Sequence, residues 1–272
     1  MMKTKKVAII TGAAGGIGRA TALAFASAGF RLCMVDRNSL DMEALAATIQ
    51  QQYNEESLVF QHDLSDSNCW SEIVEELFRI WGRIDVLVNN AADRSIETMR
   101  TISLKTWADT LNVCLGAPAF LSKYCAEKME QSGSGGVIIN ISSVMSDRPG
   151  GTSPAYIAAK GAMESLTREL SVTYGRSGIR VLSVKPGYID TDLSRDYENE
   201  QKQNISQELS DEMLQLTPLG RSGTPGEIAE AILWLSSEKA AFITGASLVI
   251  DGGFENNLNS YRLKQIQFPK EF

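Results

Sequence analysis

The sequence predicts a single α/β domain: a parallel sheet of seven strands, doubly wound, with helices on both faces. Three observations carry this. Short apolar runs alternate with helical patterns along the chain. The first run, Val7-Ala-Ile-Ile10, ends in a glycine-rich turn that opens a helix. No repeat or linker divides the 272 residues.

Composition narrows the classes. With 43% hydrophobic residues the chain can bury an ordinary core. A net charge of −7 gives no basic footprint, so nucleic acid is not an expected partner. Cys33, Cys69, Cys114 and Cys125 lack paired spacing and read as small buried hydrophobes in a reducing compartment. His62 is the single histidine, which removes a Ser-His-Asp hydrolase and most histidine metal sites, so no metal is expected. Lys3, Lys5 and Lys6 before Val7 imitate a signal-peptide start, but the apolar run stops at Thr11. No apolar stretch approaches the roughly eighteen residues of a membrane helix, and the expected setting is cytoplasmic and soluble.

The elements follow in order. After the strand at 7–10 comes a helix over 18–28, a strand at 32–35, a helix near 40–52 and a strand at 58–60. A helix then runs up to Trp81, a strand covers 86–88, and the next helix carries Asn112. The fifth strand, 137–141, delivers Ser142 and Ser143, and Pro154 suits the first turn of the helix that follows. The sixth strand covers 181–184, a helix returns at Pro225, and a seventh strand over 246–250 leads to Asp251-Gly-Gly253.

The chemistry concentrates between Ile139 and Lys160. Tyr156 and Lys160 stand four apart on an expected helix, hence on one face. An ammonium beside a phenol favours the phenolate. Moving a tyrosine from about 10 to about 7 takes roughly 4 kcal/mol, at about 1.36 per unit, much of which one partly desolvated ammonium could supply. Such a phenol passes a proton near neutral pH. At the other end of the chain, Gly12, Gly16 and Gly18 let the backbone approach a pyrophosphate at a helix N-terminus. Asp36 closes the second strand about twenty residues on, where a carboxylate accepts from ribose hydroxyls and repels a 2′-phosphate. That favours NAD. Arg37 next door keeps NADP as the lesser alternative.

Ser143, Tyr156 and Lys160, together with Thr11-Gly-Ala-Ala-Gly-Gly-Ile-Gly18, resemble the short-chain dehydrogenase/reductase family, and the match runs from about Val7 to Gly253. The resemblance implies a Rossmann-type domain over 1–253 with a substrate lid at 192–220, where Leu209, Met213 and Leu216 recur at helical spacing. It implies that Ser143 holds the substrate oxygen, Tyr156 moves the proton, Lys160 tunes it and binds the nicotinamide ribose, and Asn112 serves a water relay. Asp63 and Leu64 resemble an adenine-contacting pair. Asn89-Asn90-Ala91-Ala92 stands where the family usually has Asn-Asn-Ala-Gly. Ile17, Asn90, Ala91, Pro186, Gly187, Ile189 and Thr191 complete the expected cofactor wall, the last two holding the carboxamide. Family members that use NADP often carry a basic residue at the position of Gly15, which supports NAD here.

The expected reaction is hydride transfer between NAD(H) and a secondary alcohol or its ketone. Asp93, Arg94, Asp147, Arg148 and Tyr188 fall in segments that line the family's pocket and suggest a sugar, polyol or hydroxy acid. An NADPH-dependent 3-oxoacyl-thioester reductase is the alternative, and a non-catalytic NAD(H)-binding sensor or scaffold the remote one. The resemblance also implies a homotetramer. Residues 254–272 extend past the usual family end, and Tyr261, Leu263, Ile266 and Phe268 lead us to expect packing on the core or a neighbouring subunit.

Overall fold

A computed structural model describes residues 5–195, 197–199 and 201–272. Residues 1–4, with Lys3, and Asp196 and Glu200 of the expected 192–220 lid lie outside the described residues.

The elements begin β1 (Val7–Thr11), α1 (Gly16–Ser27), β2 (Arg31–Asp36), α2 (Ser39–Tyr53), β3 (Ser57–Gln61), α3 (Cys69–Trp81) and β4 (Val86–Asn89). They continue with α4 (Leu104–Leu111), α5 (Ala117–Ser132), β5 (Gly136–Ile141), α6 (Pro154–Tyr174) and β6 (Ile179–Pro186). Last come α7 (Ser206–Leu216), α8 (Pro225–Leu235), β7 (Ser247–Ile250) and α9 (Tyr261–Gln267). The strands form one seven-stranded sheet in the order β3-β2-β1-β4-β5-β6-β7, and every neighbouring pair is parallel.

Strand side chains alternate between faces. Ala8 and Ile10 therefore join the core beneath α1 and α8, whereas Val7 and Ile9 join the core beneath α3 and α5. All four are fully or almost fully buried. A strand covered on both faces must be apolar throughout, which is why β1 reads as a continuous run.

Helix ends are local. Thr224 and Glu227 form a reciprocal capping box at the start of α8. Asn38 and Ser103 cap α2 and α4 through their side chains. Chain order reverses between β1 and β4, the switch point of such a sheet, and a crevice forms there at the strands' carboxyl ends. Among the described residues, no helix is long and apolar enough to cross a membrane.

Candidate active site

A cavity of about 1360 Å³ opens along that edge. Small-ligand sites commonly measure about 300–1,000 Å³, so this one has room for a dinucleotide and a substrate together. Its wall includes Gly12, Gly16, Ile17, Asp36, Arg37, Asp63, Leu64, Asn90, Ala91, Ser143, Tyr156, Lys160, Pro186, Gly187, Ile189 and Thr191. Residues spread over most of the chain thus meet on one surface. Gly18 sits behind the wall in the glycine turn, and Asn112 does not line the cavity.

The glycine turn is shaped by close backbone approach. A Cβ on Gly18 would lie 2.0 Å from the Gly12 carbonyl oxygen, and one on Gly12 would meet Ala91 Cα and Asn90 Nδ2 at 2.8 Å each. Gly12 also has φ +66, a region that favours glycine. Asn90 donates from Nδ2 to the carbonyls of Thr11 (2.9 Å) and Gly12 (3.1 Å), clipping the end of β4 to the turn. The Thr11 hydroxyl accepts the N–H groups of Asn90 and Ala91, each at 3.0 Å. The chain therefore presents the free N–H groups at the start of α1 on a bare backbone cradle, which fits a pyrophosphate.

At the end of β2, Asp36 accepts the N–H groups of Ala14 (3.1 Å) and Asn38 (3.0 Å). These bonds fix its carboxylate beside the cradle, and a carboxylate has lone pairs left for ribose hydroxyls. Arg37 also lines the cavity and is exposed. Asp63 is exposed too. Its carboxyl is held below the usual range, first by the Ser65 backbone N–H. The Trp70 indole donates to the Leu64 carbonyl (3.0 Å) and Asn112 Nδ2 to that of Ser65 (3.0 Å), so 63–65 is pinned from behind.

Asn112 opens a π-helical turn, Asn112–Gly116, between α4 and α5, and its carbonyl accepts from Ala117 five residues on. Such turns are rare and gather at functional sites. Gly116 is required there because a Cβ would come 2.8 Å from the Trp70 ring.

At the far end of β5, Ser143 Oγ accepts the Met145 N–H (3.1 Å), and the Ser143 side chain lies close enough to Tyr156 to stabilise its phenolate. Pro154 starts α6, and Ser153 before it holds φ +65, a rare conformation for serine that aims the helix. Lys160 is almost fully buried and donates to the Ile141 carbonyl at 2.6 Å. Its Nζ lies 5.4 Å from the centre of the Tyr156 ring.

The electrostatics depart from the sequence expectation. Protein encloses Tyr156 on all sides but the cavity, and this burial pushes its phenol up to about 12. Cys114 adds to the rise, while the Ser143 side chain and the Arg94 charge oppose it. Lys160 is not among the groups that pull it down. Burial also lowers the Lys160 ammonium below the ordinary lysine value. Both charged forms lose solvation, so desolvation outweighs the priming expected from spacing alone.

Past β6, Gly187 is a glycine because Asp251 Cα would sit 2.6 Å from its Cβ. Ile189 pairs with Gly223, and Thr191 comes within 3.2 Å of where a Gly16 Cβ would lie, closing the cavity over the glycine turn.

Two residues expected to meet substrate have partners inside the fold. Arg148 Nη1 donates to the carbonyls of Phe254 and Asn257, and its guanidinium lies 4.6 Å from the Phe254 ring centre. Asp147 pairs with Lys185, which also binds Glu255 at 2.8 Å. Lys185 is not marked in the sequence, because its partners lie far along the chain. The segment after Phe254 also meets α7, where Asn257 Nδ2 donates to the Leu216 carbonyl (2.7 Å) and Arg262 N–H to Gln215 Oε1 (2.9 Å).

Comparison with known proteins agrees with this geometry. A family model described as enoyl-(acyl carrier protein) reductase matches residues 12–255. The short chain dehydrogenase/reductase astE of Aspergillus oryzae is 36% identical over 249 residues, 91% of this chain and 94% of that protein. A D-threitol dehydrogenase of Mycolicibacterium smegmatis is 33% identical over 249 residues, covering 92% of each. The crystal structure of acetoin dehydrogenase YohF from Salmonella typhimurium superposes with a TM-score of 0.81 at 31% identity, over 93% of this chain and 98% of that one. The chain belongs to the short-chain dehydrogenase/reductase family. It is an alcohol/ketone oxidoreductase that acts with a nicotinamide cofactor on a small-molecule substrate.

Proposed function

We propose that the enzyme transfers hydride between NAD(H) and a small polar secondary alcohol or its ketone, a sugar, polyol or hydroxy acid. The observation that carries this is the meeting of Ser143, Tyr156 and Lys160 in one cavity with the glycine cradle. A bound nicotinamide dinucleotide supplies the hydride acceptor or donor and, when oxidised, a positive charge. Gly12, Gly16, Ile17 and Gly18 seat its pyrophosphate. Asp36 takes the ribose hydroxyls, and Asp63 with Leu64 borders the adenine. Asn90, Ala91, Pro186, Gly187, Ile189 and Thr191 frame the nicotinamide end.

Ser143 donates to the substrate oxygen and holds it beside Tyr156. In oxidation the Tyr156 phenolate takes the hydroxyl proton while the carbon gives up hydride; in reduction the phenol returns it. Lys160 keeps its hydrogen bond to Ile141 and offers its remaining donors to the ribose. Asn112 serves the water relay that connects the site to solvent, held in place by the π turn and its bond to Ser65. The segment 192–220 serves as the substrate lid, with Leu209, Met213 and Leu216 of α7 facing the cavity.

Asp36 supports NAD over NADP, and exposed Arg37 is the group that would serve NADP. The relatives named for D-threitol and acetoin support a small oxygenated substrate. We also place the protein in the cytoplasm as a homotetramer. The buried free cysteines suit a reducing compartment, and exposed Val172 and Phe242 suit subunit contacts. Initial rates with NAD and NADP across sugars, polyols and hydroxy acids test the proposal. NAD-linked turnover of a polar alcohol supports it; activity confined to 3-oxoacyl thioesters with NADPH removes it.

A further inference from the structure

The cavity wall carries a cation that forms no ion pair among the described residues. Lys160 donates to Ile141, and Arg148 is committed to the carbonyls of Phe254 and Asn257. Arg94, in the loop after β4, differs. Its Nη2 donates to the Leu193 carbonyl at 2.6 Å, its guanidinium lies 4.8 Å from the centre of the Tyr197 ring, and its Nε–H is buried without an acceptor. Among the described residues, no carboxylate forms an ion pair with it. Two acids of the cavity wall are engaged elsewhere: Asp147 with Lys185, and Glu198 with Lys202 at 3.2 Å. Asp93 and Asp192 share the wall and do not pair with it either.

A buried N–H without an acceptor is costly, and a fold that keeps one calls for an explanation. A guanidinium matches a carboxylate edge to edge, with two parallel hydrogen bonds. We propose that Arg94 is the specificity residue of this site and binds a carboxylate on the substrate, which makes the substrate class hydroxy acids and their oxo acids. The inference rests on the cavity being the active site read above.

Position supports it. Arg94 and Tyr156 line the same cavity, and the charge of Arg94 is felt at the Tyr156 phenol; the ligand would span the two, its anion on Arg94 and its carbinol at Tyr156. The groups that cover Arg94, Leu193 and Tyr197, belong to the proposed lid. A carboxylate that bridges the fork completes the bonding that the Leu193 carbonyl only begins, and so favours closure over acids. A neutral polyol offers no charge for that exchange.

Calorimetric titration of the intact protein, saturated with NADH, with butanoate and with butanamide separates this anchor from turnover. Butanoate binds at least about tenfold more tightly than the amide, and added salt weakens the preference. Arg94→Gln brings the acid down to the level of the amide, and Arg94→Lys keeps part of the preference because a point charge replaces the fork. The NADH titration reports whether each variant is folded. Should Arg94→Gln not bind NADH, the wild-type ratio and its decrease in Arg94→Lys decide. Equal binding of acid and amide by the wild type, or an unchanged ratio in the folded variants, overturns the proposal.

Turnover reads out separately. Butanoate bound through Arg94 by a protein that oxidises no alcohol leaves the anchor standing and removes the dehydrogenase reading. Oxidation of polyols without any preference for acids removes the anchor and keeps the dehydrogenase.

Discussion

The Lys160 ammonium lies 5.4 Å from the centre of the Tyr156 ring, with its 2.6 Å hydrogen bond directed to the Ile141 carbonyl. The two side chains share a helical face, yet the lysine's hydrogen bond goes to the backbone of β5 and not to the phenol oxygen. Tyr156 is held as a neutral phenol by burial, and the Ser143 side chain opposes that rise. Proton transfer in this site begins from that resting state.

The pH profile carries a definite sign. In oxidation the active form is the phenolate, and its pKa is pushed up to about 12. Below that value the phenolate fraction climbs about tenfold per pH unit, so kcat/KM for alcohol oxidation rises with pH, while ketone reduction uses the phenol and does not rise. The positive charge of oxidised nicotinamide moves the limb to lower pH without reversing it. Rates measured from about pH 7 to 10 check this; an oxidation profile that falls with pH contradicts it.

The glycine turn distinguishes two neighbouring positions. Gly18→Ala places a methyl 2.0 Å from the Gly12 carbonyl, so the turn must open and cofactor affinity must fall by about tenfold or more. Gly15 has an extended backbone with φ −146 and nothing within 4 Å of its Cβ, so Gly15→Ala stays within about 0.5 kcal/mol of the parent. Thermal melts with and without NADH separate the two variants.

Cofactor choice follows from the same two places. Asp36→Ala removes the carboxylate that opposes a 2′-phosphate, and Gly15→Arg adds a cation where the backbone leaves room. The pair together shifts the ratio of kcat/KM for NADP over NAD upward by about a hundredfold, two favourable interactions of roughly 1.4 kcal/mol each. Initial rates with both cofactors measure it, and an unmoved ratio rejects the role given to Asp36.

Arg148 fastens the segment after Phe254. Arg148→Ala loses its donors to the Phe254 and Asn257 carbonyls and the contact with the Phe254 ring, a cost of about 2 kcal/mol. The melting temperature falls by several degrees, and limited proteolysis cuts sooner beyond residue 254. Unchanged melting and unchanged cleavage contradict that assignment.

Much of the fold was legible because each strand is a short apolar run bounded by turn residues, and β1, β4 and β5 are buried along their whole length or nearly so. Tyr156 and Lys160 were legible because four residues on a helix make neighbours. The helix α7 was legible from Leu209, Met213 and Leu216. The balance of forces on Tyr156 was not, because burial is a property of everything packed around the ring. Asp147 and Arg148 do line the cavity, but their partners were not legible, because these stand 38 and 106 residues away, beyond the reach of any local pattern. The unanswered Nε of Arg94 likewise exists only once Leu193 and Tyr197 fold over it.

The most direct measurement is single-turnover kinetics of Tyr156→Phe beside the parent, with NADH binding followed in the same samples. The substitution keeps the ring and removes only the hydroxyl. The variant should bind NADH as the parent does and lose turnover by about a hundredfold or more, the contribution of a positioned acid–base group. Turnover within a few fold of the parent would show that the proton travels by another route and would remove Tyr156 from the chemistry.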